Sequence, residues 1–195
     1  MKKLGIILTT LAAVLFASSA YAVTVQYNFA GLQDIDTDFE TFANGNVADS
    51  GTILDVNVSF QVTPDYADDI SVWLNHNGTS VLLIPATEED VSDSYYDALM
   101  DDESNNILPE TGTVDGTFRP LQNLSAFDGM NANGLWSLSF LDTYEPFSEF
   151  NDLLGWSLYI TYDDDFVTAD VPEPAALGLL GFGLAGFGLA RRRRG

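Results

Sequence analysis

Cysteine is absent from this chain, so it has no disulfide, no thiolate metal site and no cysteine nucleophile. Basic residues are nearly as scarce. Of 7 Lys and Arg in 195 residues, Lys2, Lys3, Arg191, Arg192, Arg193 and Arg194 sit in the terminal segments, and Arg119 is the only base between Val23 and Asp170. All but one of the 29 acids lie inside that span, the exception being Glu173, and the whole chain carries a net charge of −22. Such a surface repels nucleic acid and anionic lipid headgroups and attracts cations, which excludes nucleic-acid binding. Histidine occurs once, as His76, and no Gly-x-Ser-x-Gly elbow is present. A lone histidine in the turn Asn75-His76-Asn77-Gly78 reads as an exposed polar residue, and the chain reads as a non-enzyme.

What the chain does contain begins with two terminal addresses. Met1-Lys2-Lys3, the apolar run from Leu4 to Phe16 and Ala20-Tyr21-Ala22 form a secretory signal peptide over residues 1–22, cut by a signal peptidase after Ala22. At the other end, residues 171–195 hold Pro172-Glu173-Pro174, an uncharged apolar stretch over 175–190 and the four arginines. Sixteen residues at helical rise reach about 24 Å, enough to enter a bilayer with snorkelling arginines. The arginines would stay cytoplasmic and leave the acidic part outside.

Between these addresses, residues 23–170 read as one all-β domain. Leu54, Val56, Val58, Phe60 and Val62 alternate with polar residues, as in a strand with one buried face. Ile70 to Leu74 and Val81 to Ile84 follow as further strands, separated by the Asn-Gly turn. Trp136, Leu138 and Phe140 alternate with serines, and Trp156, Leu158 and Ile160 repeat that rhythm. Asn44-Gly45-Asn46 reads as a turn, and residues 109–119 read as a loop. No useful helix-period segment interrupts the pattern. The expectation is a jelly-roll-like β-sandwich of about eight strands, flanked by an N-terminal signal helix and a C-terminal transmembrane helix.

Two resemblances follow from these motifs. The tail, with Pro172, Glu173 and Pro174, a short apolar helix and Arg191 to Arg194, resembles the PEP-CTERM sorting signal. That resemblance implies export in a Gram-negative bacterium, recognition by an exosortase, transient membrane anchoring by the C-terminal helix, and delivery to the cell surface or extracellular matrix. In the middle, Ile53 to Val58, Thr63 to Ile70, Leu74 to Thr79, Tyr96 to Asp102, Gly134 to Leu138 with Asp142, and Leu153 to Ile160 resemble, in order, the P/Homo B domain of proprotein convertases and subtilisin-like proteases. Pro64 and Asp68 depart from that family's turn. The resemblance implies a non-catalytic jelly roll, often with bound calcium, that flanks and stabilises a separate serine-protease domain.

The acid-rich loops carry the same implication for calcium, because Ca²⁺ takes six to eight oxygen ligands. The candidate ligands are Asp68, Asp69, Asp97, Asp101, Asp102 and Asp142. Trp136 and Trp156 keep phase with core leucines, whereas Trp73 falls out of phase with Val72 and Leu74. Trp73 is therefore the candidate ligand-binding residue, which keeps a carbohydrate-binding module for matrix polysaccharide open beside an accessory domain for a serine protease.

Overall fold

The computed structural model describes residues 22–35, 39–63, 67–87, 93–110, 112–142, 151–163 and 166–168. Residues 1–21 and 169–195, on which the signal-peptide and sorting-tail expectations fall, lie outside the described residues. Among the described residues nine strands form two sheets. They are β1 (Val23–Ile35), β2 (Thr41–Val47), β3 (Ile53–Val62), β4 (Ile70–His76), β5 (Thr79–Ile84), β6 (Tyr96–Met100), β7 (Val114–Phe118), β8 (Gly134–Asp142) and β9 (Asn151–Tyr162). The larger sheet has the order β1-β9-β3-β6-β7 and the smaller one β2-β8-β4-β5. Among the described residues no helix is long and apolar enough to cross a membrane.

The alternation of the sequence becomes the two faces of each sheet. Val56, Val58, Phe60 and Val62 of β3 point into the core with Trp156, Leu158 and Ile160 of β9. From the small sheet, Val72 and Leu74 of β4 meet them with Trp136, Leu138 and Phe140 of β8, all fully buried. Emptying one such site by truncation to alanine costs about 2–5 kcal/mol, which is why the row is apolar throughout. Leu54 breaks the expected pattern. A bulge between Ile53 and Asp55 puts an extra residue in the strand, so Ile53 is buried in its place and Leu54 lies exposed.

Two segments that look like connections are strands. Thr41–Val47 pairs along its whole length with β8, despite its Asn-Gly-Asn centre. Gly45 is required there by packing: a Cβ at this position would lie 2.5 Å from the ring of Phe29. Val114–Phe118 pairs in parallel with β6 across the long connection 101–113. The open edge of β5 is closed by residues 121 and 122, whose amides donate to Leu83 O and Leu82 O at 2.9 Å each.

Candidate functional site

The six candidate calcium ligands are distributed over three places. Asp68 and Asp69 lie in the 3₁₀ turn Ala67–Asp69 that feeds β4, and Asp142 ends β8 opposite Ile70. All three are buried. Ser94 Oγ donates to Asp68 Oδ1 and accepts from the Asp68 amide at 3.1 Å, and Thr87 N donates to Asp68 O at 2.8 Å. Tyr96 is the common neighbour: its hydroxyl donates to Ile70 O at 3.0 Å, and burial, followed by the charges of Asp68, Asp69 and Asp142, pushes its ionisation far upward.

Asp101 and Asp102 stand elsewhere, just past β6. Both carboxylate oxygens of Asp102 accept backbone hydrogen bonds, from Leu124 N and Ser125 N at 2.9 Å each. It thus caps the 3₁₀ turn Leu124–Phe127 from a distant loop, satisfying donors that the turn leaves free. Asp101 Oδ1 accepts from Glu103 N at 2.8 Å. Asp55 and Asp128 crowd the same region. Burial raises both carboxyl pKa values, with the Asp101 charge next for Asp55 and the Asp55 charge next for Asp128. Asp97 belongs to neither group, being exposed on β6 opposite Gln61 and Asp115. Among the described residues no group of three or more carboxylate or imidazole side chains is arranged to hold a metal ion.

His76 is not an exposed turn residue. It ends β4 with its side chain inward, 3% exposed. Its Nδ1 lies 3.0 Å from Leu135 O and its Nε2 2.9 Å from Asn131 O, and its ring stacks on Trp136. Both ring nitrogens lie within hydrogen-bond distance of backbone carbonyls of the 131–135 segment; a neutral ring donates one of the two bonds, and that bond with the stack pins the loop to the end of β4.

The region with the most open chemistry is the outer face of the small sheet. Its strands carry one acid in all, Asp142 at the last position of β8, in a chain with 29. Register sets the outward side chains in rows. Phe42, Ser139, Trp73 and Leu82 form one row across β2, β8, β4 and β5. Asn44, Ser137, Asn75 and Ser80 form the next, and Asn46 with Leu135 the third. Phe42 is 47% and Leu135 59% exposed, while Trp73 is half-buried. Asn75 Nδ2 donates to Ser139 Oγ at 2.9 Å, which fixes its amide plane. At the end of these rows lies a concavity of about 490 Å³ lined by Asn75, Asn77, Thr79, Ser80, Asn133, Leu135 and Ser137 among others.

Trp73 was legible from its phase. Phe42, Asn44, Asn75, Ser137 and Leu135 were not, because a face becomes visible only when strands are paired. The signal that marks them is negative: residues 41–47, 70–84 and 134–141 contain no acid at all.

Residues 170–194 match the PEP-CTERM protein-sorting motif. No curated protein matches the chain. Among solved structures, the serine protease of Aeromonas sobria is similar at 17% identity over 77% of this chain, with a TM-score of 0.49. The complex of an Aeromonas sobria serine protease with its chaperone gives 16% identity over 74%, with a TM-score of 0.46. This chain spans 28% and 27% of the length of those two.

Proposed function

We propose that this protein is an exported, non-catalytic binding domain: a P/Homo B-like β-sandwich that its tail delivers to the bacterial surface or extracellular matrix. The sorting-motif match over residues 170–194 carries the reading. A domain worked by that signal passes through the membrane, is released from its apolar segment by an exosortase-type enzyme, and functions outside the cell. The acidic composition suits this destination, since net charge keeps an exported domain soluble and away from anionic lipid.

The non-catalytic part of the reading is supported by the one histidine of the sequence, which packs on Trp136 and faces backbone carbonyls. Binding is left as the mode of action, with the acid-free outer face of the small sheet as its surface. Fractionation of cells that produce the full chain, beside cells producing a chain truncated after Asp170, tests delivery. The full chain is expected in the surface or matrix fraction and the truncated one in the periplasm or medium. Equal distribution of the two removes the sorting role. Co-purification with a peptidase whose activity it stabilises would instead favour an accessory role.

A further inference from the structure

The geometry points to an uncharged, hydroxyl-rich polymer, a neutral glycan chain, as the occupant of the small sheet's outer face. This rests on the reading of the protein as an exported binding domain and names what it binds. Three observations carry it.

First, charge is distributed unevenly. Among the described residues the acids other than the buried Asp142 lie on the large sheet and in the connections, while the outward rows of the small sheet have none. A cationic partner would be drawn to the acids and an anionic one repelled by them, so an acid-free face within such a field suits a partner with no charge. A second copy of this chain is disfavoured on the same ground, since between Val23 and Asp170 each copy carries Arg119 as its one base against all but one of its 29 acids.

Second, the rows alternate in chemistry. Phe42 and Trp73 flank the small Ser139, and Asn44 and Asn75 flank the small Ser137 in the neighbouring row. Residues two apart on a strand are about 6.6 Å apart and strands about 4.8 Å apart, so one sugar residue with its hydroxyls can touch both rows. A pyranose has an apolar CH face for the aromatic row and a rim of hydroxyls for the amide row, each hydroxyl both donor and acceptor. An apolar peptide would leave the amides unpaired, at a cost.

Third, the face is partly prearranged. With Nδ2 held by Ser139 Oγ, Asn75 presents its carbonyl oxygen in a fixed direction beside the concavity at the end of the rows. Little side-chain freedom remains to be lost there on binding.

Affinity electrophoresis tests the proposal with protein recovered from cells. It is run through native gels containing dextran, glucomannan or hydroxyethylcellulose, beside gels with alginate and gels with none. Retardation is expected in at least one neutral polymer, unchanged by added salt, with none in alginate. Trp73→Ala should weaken the retardation by about tenfold, as should Asn75→Ala independently, while both variants keep the parent circular dichroism. Asp97→Asn, on the opposite sheet, should leave it unchanged. Absence of retardation in all three neutral polymers, or retardation indifferent to both Trp73→Ala and Asn75→Ala, overturns the assignment. Stronger retardation in alginate, or a dimer by size-exclusion chromatography that Trp73→Ala breaks, also overturns it. Because binding is read on isolated protein, its failure is separate from a failure of delivery in cells.

Discussion

His76 lies flat against Trp136, with ring centroids 3.9 Å apart and planes 5° from parallel, while its two nitrogens face carbonyl oxygens of Asn131 and Leu135. One side chain therefore joins the end of β4 to the loop that starts β8. Trp136 is tied from the other side, its Nε1 donating to Ala132 O at 2.9 Å. His76→Ala removes a buried ring and leaves carbonyls unpaired, so a loss of about 2–4 kcal/mol is expected in chemical denaturation. His76→Phe keeps the stack and loses only the hydrogen bonds, so its loss should be about half as large. Equal stability of His76→Ala and the parent would remove the pin from the account.

The crowding around Asp55 predicts how stability varies with pH. Burial first, then Asp101, raises the Asp55 carboxyl pKa; burial first, then Asp55 and Asp102, raises that of Asp128. For Glu103 the leading cause is a side-chain hydrogen bond with Asp101. A raised pKa means that the folded state holds a proton the unfolded chain has released. Stability from these groups is complete below the ordinary carboxylate range and is lost as pH rises through their raised values. Melting temperature should therefore climb as pH falls from neutrality toward the top of the carboxylate range. Asp55→Asn should be more stable than the parent at pH 7 and show a flatter profile. A parent profile that falls steadily from pH 7 to pH 5 contradicts this.

Asp102 acts as a cap. Asp102→Ala withdraws two charge-assisted hydrogen bonds from Leu124 N and Ser125 N. A loss of about 1–2 kcal/mol is expected, with Asp102→Asn recovering part of it. Hydrogen exchange at those two amides reads the same contact locally, and unchanged protection in Asp102→Ala would show that the cap carries nothing.

Salt in general, rather than calcium in particular, is expected to stabilise the domain. Asp55, Asp102 and Asp128 raise one another's energy, and Arg119 is the only base nearby in sequence. Screening relieves such repulsion whatever the cation. Melting curves in sodium chloride and calcium chloride at equal ionic strength should coincide. A rise of several degrees specific to calcium, abolished by chelator, would instead show a calcium centre.

Much of the sandwich was legible because period two encodes a face directly. The rows Trp136-Leu138-Phe140 and Trp156-Leu158-Ile160 are both core rows in the structure. Features set by the neighbours of a segment were not legible. Leu54 is turned outward by a backbone bulge that no side-chain pattern announces. Thr41–Val47 carries turn residues yet pairs as a strand, because Gly45 makes room for Phe29. His76 looks like a turn residue until Asn131 and Leu135 bring their carbonyls to it. Of the candidate acids, Asp68, Asp69 and Asp142 gather around Tyr96, while Asp101 and Asp102 stand apart and Asp97 faces solvent. The residues share a chemistry, but topology distributes them.

The most direct test of an exported, tail-sorted domain is the intact mass of the protein washed from the surface and matrix of producing cells. A mass that begins at Val23 and ends close to Pro172-Glu173-Pro174, without the apolar segment and the four arginines, is the predicted result. Recovery only of a species retaining residues 175–195, confined to the inner membrane, would contradict it.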